Sequence, residues 1–213
     1  MAETIIEKLG GHKKIPNLLD YRHCYDTFHW RSSLVTLPAS PSPHLNIAYE
    51  ALDCHLNTET ENKLALRWLG KNNQCIDFTY RDLAEQTSRF ASMLSTLGFE
   101  FGTRVFSLSG RLPQLYIAAL GTLKAGCVFT PLFSAFGPKP IRERMEIGEA
   151  NVLITTSRLY HKKIASWREE LTHLKAILLI DGTGELEPGC YALDDLLAAA
   201  DPHFPCAGTI PED

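Results

Sequence analysis

From Arg104 onward the chain alternates short apolar runs with helical stretches, and that pattern admits few folds. RVFSLS (104–109), CVFTPLF (127–133), NVLITT (151–156) and AILLID (176–181) read as strands. Leu112–Ala125, Pro138–Ile147, Leu159–Leu171 and Leu193–Ala200 read as helices. Short β-rich segments separated by helices imply right-handed crossovers and a mostly parallel sheet covered by helices on both faces. The fold class is therefore α/β. Ligands of such sheets bind beyond the carboxyl ends of the strands. That rule nominates Ser109-Gly110-Arg111, Ser134-Ala135-Phe136-Gly137, Thr155-Thr156-Ser157 and Asp181-Gly182-Thr183-Gly184.

Upstream, LALRWL (64–69) and CIDFTY (75–80) alternate in hydropathy, and Gly70–Gln74 between them has turn chemistry, which predicts a β-hairpin. Thr79 is placed as the N-cap of a helix with Tyr80, Leu83, Ala84, Phe90, Ala91 and Leu94 on one face, closed by Gly98. Residues 1–45 are polar and carry Pro16, Pro38, Pro41 and Pro43, so they read as an extended leader. The α/β domain is expected over 46–200, and 201–213 reads as an irregular tail.

Among the nominated loops, 134–137 has the strongest chemistry. Small residues at 134, 135 and 137 allow a ligand close to the backbone. Pro138 then opens a helix whose first N–H groups favour an anionic or carbonyl group. A tight turn with no ligand is the competing reading. Gly182-Thr183-Gly184 lacks the third glycine of a dinucleotide fingerprint, and Glu185-Leu186-Glu187-Pro188 does not start a helix. This argues against an unrelated Rossmann-like nucleotide binder. There is no GxSxG elbow.

Composition excludes several partners. The formal net charge is −4, from 21 basic and 25 acidic residues with no basic run, so neither nucleic acid nor an anionic membrane is expected. No stretch reaches 18 consecutive apolar residues, so no spanning helix is expected. The six cysteines form no CxxC and no zinc spacing. Reduced thiols in a cytoplasm are the plain expectation.

Three stretches carry a family resemblance. NIAYEALDCHL (46–56), FTYRDL (Phe78–Leu83) and LKAGCVFTPLFSAFGP (Leu123–Pro138) resemble segments of the adenylate-forming synthetases, acetyl-CoA synthetase and its short-chain relatives above all. The resemblance covers roughly residues 45–185. It implies part of the N-terminal domain of such an enzyme, which joins a short-chain carboxylate to CoA through an acyl-adenylate, using ATP and Mg²⁺. It implies that Ser134, Ala135, Phe136 and Gly137 line the tunnel for the pantetheine arm. Ala135 stands where larger acetyl-CoA synthetases often have glycine. Lys162 and Lys163, with Arg158 beside them, are implied contacts to the phosphate of CoA; a solvated basic helix face is the competing reading. The family's glycine-, serine- and threonine-rich phosphate loop is not found, and the chain stops about where it should begin. The expectation is a fragment inactive alone, binding none of these cofactors tightly. The alternative is a non-catalytic module that pairs with a separate C-terminal half in trans or with a partner enzyme.

Overall fold

The computed structural model describes residues 18–29 and 45–210. The chain divides into two units, Met1–Ala39 and Ser40–Asp213. In the first, Tyr21–Thr27 forms helix α1, which the sequence reading did not pick out. Asp20 caps it by accepting from the His23 N–H at 2.9 Å. The proline-rich stretch 37–44 lies outside the described residues, as do 211–213.

The second unit opens with helix α2 (Ile47–Ala51), capped by Asn46. Strands β1 (Leu64–Leu69) and β2 (Cys75–Thr79) then form the expected antiparallel hairpin. Thr79 ends β2 and starts helix α3 (Tyr80–Thr96) with a full capping box. The Asp82 N–H donates to Thr79 Oγ1 at 3.1 Å, and the Thr79 N–H donates to Asp82 Oδ2 at 2.8 Å. Two of the helix's four orphan N–H groups are handled reciprocally.

The main sheet holds β3 (Arg104–Leu108), β4 (Val128–Pro131), β5 (Val152–Thr155), β6 (Ala176–Leu179) and β7 (Cys190–Ala192). Their order is β4-β3-β5-β6-β7, and every pairing is parallel. The interleaved helices are α4 (Pro113–Lys124), α5 (Pro138–Ile147), α6 (Ser157–Lys163) and α7 (Leu193–Ala199).

Strand alternation splits the core into two layers. Val152, Ile154 and Leu178 face the layer holding Phe90 and Leu94 of α3 with Ile117 of α4. Leu153, Ile177 and Leu179 face the layer of Ile141 and Met145 from α5 with Tyr160 from α6.

Two expectations are corrected. The helix expected over 159–171 ends at Lys163, and a 3₁₀ segment covers Ala165–Glu170. Buried Ile164 breaks the helix at φ −130°. The fifth strand, β7, was not expected. It is three residues long, too short to show a period, and Gly189 at φ 77° delivers the chain into it. Gly184 is also in the left-handed region, and the loop over 182–189 leads into β7 and no helix.

Candidate functional site

The carboxyl ends of β3, β4, β5 and β6 bring all four nominated segments to one edge of the sheet. β4 lies on one side of β3 and β5 on the other, so the strand order reverses around β3. The base of that switch point is closed by the Thr155 hydroxyl, which donates to Leu108 O at 2.7 Å. Asp181, at the end of β6, accepts from the Ser157 N–H at 2.6 Å and from its hydroxyl at 2.9 Å. Asp181 therefore ties the ends of β5 and β6 together.

The loop after β4 is the most elaborated part of this edge. The Leu132 N–H extends the ladder by donating to Ser107 O at 2.7 Å. The Phe136 N–H then closes a turn onto Phe133 O at 3.0 Å. The two rings meet edge-on at 5.5 Å, and the Arg144 guanidinium sits 4.5 Å above the Phe136 ring. Ala135 and Gly137 are exposed. A Cβ on Gly137 would find no atom within 4 Å, so the outer face of the loop is open. Gly137 has φ −71°, and Ala135 is not among the residues with positive φ. Neither position needs glycine for backbone reasons, so alanine at 135 carries no strain.

The structure separates the two candidate lysines. Lys163 is half-buried, and its ammonium donates to Ser134 O at 2.6 Å and to Phe136 O at 2.7 Å. Lys162 and Arg158 are exposed on α6. The amino end of α5 is a weaker anion site than the sequence reading expects. Prolines at 138 and 140 remove two of its first three N–H groups. Arg144 was missed by the sequence reading. Phe136 lies in the loop before α5, so no periodicity relates it to Arg144 within the helix.

Burial argues against a nucleophilic role for four of the six cysteines. All six thiols are free. Burial pushes those of Cys54, Cys127, Cys190 and Cys206 upward. Among the described residues no three His, Cys, Asp or Glu side chains gather as a metal site, and no helix is long and apolar enough to cross a membrane.

A parallel sheet of order 2-1-3-4-5 with its switch point at β3 defines a doubly wound α/β protein, in which a ligand site lies at the carboxyl edge. The chain belongs to the AMP-binding enzyme family, whose pattern it matches over residues 55–207. It is 32% identical over 171 residues to the acetyl-coenzyme A synthetase of Bacillus subtilis (strain 168), covering 79% of this chain and 29% of that enzyme. It is 35% identical over 109 residues to the acetyl-coenzyme A synthetase of Chlorobaculum tepidum, covering 51% of this chain and 16% of that enzyme. The crystal structure of Brucella canis acyl-CoA synthetase superposes with a TM-score of 0.75 at 28% identity, covering 88% of this chain and 33% of that one. The chain thus spans about a third or less of the length of these relatives. The fold is a portion of an adenylate-forming enzyme.

Proposed function

We propose that this chain supplies the sheet and the CoA-side loop of an AMP-forming acyl-CoA synthetase. The intact enzyme would convert acetate or another short-chain carboxylate, ATP and CoA to acyl-CoA, AMP and pyrophosphate. A carboxylate oxygen attacks the α-phosphorus and pyrophosphate leaves. The CoA sulfur then attacks the acyl carbonyl, and the acyl–oxygen bond to AMP breaks. The contribution of this chain falls in the second half. The braced loop 134–137, with its open outer face, orients an extended thiol arm and shields it from water. That loop, in a chain of this family, is the observation that carries the reading. Lys162 and Arg158, exposed on α6, remain the candidates for the phosphate of CoA.

No residue of this chain is assigned to ATP or Mg²⁺. The described residues gather no acidic cluster, and the sequence contains no glycine-, serine- and threonine-rich phosphate loop. The chain alone is therefore expected to be inactive. A cytoplasmic setting is part of the proposal, supported by the six free thiols.

The test measures acetate-dependent ATP–pyrophosphate exchange and acetyl-CoA formation. The chain is assayed alone and after mixing with the complementary portion of the Bacillus subtilis enzyme. No activity alone and acetyl-CoA on mixing are the expected results. Exchange by the chain alone overturns the inactivity, and no acetyl-CoA on mixing counts against the scaffold role.

A second reading, a non-catalytic module that pairs in trans, is favoured by one surface. Ile47, Phe101 and Val128 are 65%, 56% and 50% exposed around a groove of about 440 Å³ beside edge strand β4. Apolar surface grouped in this way marks an association site. A monomer by light scattering, unchanged by the complementary portion, would count against it.

A further inference from the structure

The ammonium of Lys163 reaches across the sheet order. Lys163 belongs to the helix after β5, while both of its acceptors belong to the loop after β4, and β3 lies between those strands. An ammonium has three N–H groups, and here two converge on carbonyls two residues apart, Ser134 O and Phe136 O. Bonds from a cation to a carbonyl are roughly twice as strong as neutral ones. Turning both carbonyls inward leaves Ala135 and Gly137 on the open side. The loop's other ties are the turn bond from the Phe136 N–H to Phe133 O, a long bond from the Ile141 N–H to Gly137 O at 3.4 Å, the packing of Phe136 on the core, and Arg144 over its ring. The prolines at 138 and 140 deprive it of two helix-end N–H donors.

We propose that Lys163 is a positioning residue: it holds Ser134–Gly137 in the shape that admits an elongated, amide-bearing thiol cosubstrate, and does not itself bind phosphate. The loop's role toward CoA rests on the function proposed above, whereas the clamp rests on geometry alone. A phosphate ligand needs donors free to turn toward it, and two of the three on Lys163 are committed.

The test is residue-resolved amide exchange on the full 213-residue chain. The Phe136 amide reports the loop, and the Ile177 amide, which donates to Gly189 O, reports the sheet. Lys163→Met removes two charged hydrogen bonds and should speed exchange at Phe136 by at least about tenfold, the scale of one of them, with Ile177 unchanged. Lys163→Arg, which keeps a cation with several donors, should restore most of the protection. Millimolar CoA should shift the Ala135 and Gly137 resonances of the wild-type chain, dephospho-CoA should do the same, and Lys163→Met should lose both responses. Unchanged Phe136 exchange in Lys163→Met overturns the clamp. Faster exchange with no CoA response in the wild-type chain upholds the clamp and overturns the loop's role toward CoA. A response that needs the 3′-phosphate and vanishes in Lys163→Met assigns Lys163 to phosphate and overturns the proposal.

Discussion

Lys124 and Asp53 form an ion pair at 2.8 Å in which the lysine side chain is 0% exposed and the aspartate 17%. The same ammonium donates to Ser88 Oγ at 3.0 Å and to Ala84 O at 3.3 Å, so all three donors are matched. It joins the end of α4 to α3 and to the turn after α2. Removing one partner of a buried pair is costly because the other charge stays behind. Lys124→Met should cost about 3 kcal/mol in urea unfolding. That corresponds to a fall of roughly 10 °C in Tm for a chain of this size. The exposed Arg67–Asp77 pair of the hairpin is a contrast, and Arg67→Met should move the midpoint far less.

Gly121 sits where α4 crosses α3. A Cβ there would lie 2.6 Å from Phe90 Cβ and 2.8 Å from its ring, and Phe90 is fully buried. Alanine gains about 1 kcal/mol of helix propensity over glycine in an open helix. Overpacking a tight core costs about 1–3 kcal/mol and should win here. Gly121→Ala is expected to destabilise, read as a lower urea midpoint with unchanged slope. A higher midpoint would mean that the two helices separate without cost.

The order of elements was legible because strands β3, β5 and β6 are short apolar runs flanked by helices with clear ends. The hairpin was legible from alternation and the turn at Gly70–Gln74. What escaped depended on contacts between distant segments. Nothing local in Cys190-Tyr191-Ala192 marks a strand, which forms because Ile177, Leu178 and Leu179 offer an edge. The helix through Lys163 stops where Ile164 turns into the core. At the candidate site, the small residues that leave the loop 134–137 open were legible, but the hydrogen bonds of Lys163 to Ser134 O and Phe136 O were not. Adjacent lysines look equivalent in sequence, yet one packs inward onto carbonyls and the other faces solvent.

The thiol of Cys206 sets a pH dependence. Burial first, then the charge of Asp53, pushes it from 9.0 up to about 12, with Lys124 opposing. In the unfolded chain a thiol ionises near about 8.5. Above that value the unfolded state releases its proton while the folded state keeps it, so rising pH favours unfolding. The contribution is fully present below the unfolded value and is lost as pH climbs toward 12. The urea midpoint should fall from pH 7.5 to 10.5 more steeply in the wild type than in Cys206→Ala. Equal slopes would mean that the thiol ionises in the folded chain. Exposed Cys24 and Cys75 should react with iodoacetamide well before Cys206.

Three helices end in the same way, with one difference. In α3, the Phe99 N–H donates to Leu94 O across Gly98 at φ 81°. In α4, the Cys127 N–H donates to Thr122 O across Gly126 at φ 70°. In α5, the Ala150 N–H donates to Met145 O, but the left-handed position is Glu149 at φ 45°. The preceding Gly148 has φ −84° and is needed for space, since a Cβ there would meet the Phe106 ring at 2.5 Å. A non-glycine residue in this conformation costs about 1–2 kcal/mol. Glu149 offsets part of that through its exposed pair with Arg104 at 2.8 Å, a contact worth about 0–1 kcal/mol and weakened by salt. Glu149→Gly should therefore stabilise the chain by up to about 1 kcal/mol in 1 M salt, and by less in 20 mM salt where the lost pair counts more. A net destabilisation in 20 mM salt that fades as salt rises would mean that the Arg104 pair, and not backbone strain, dominates at this helix end.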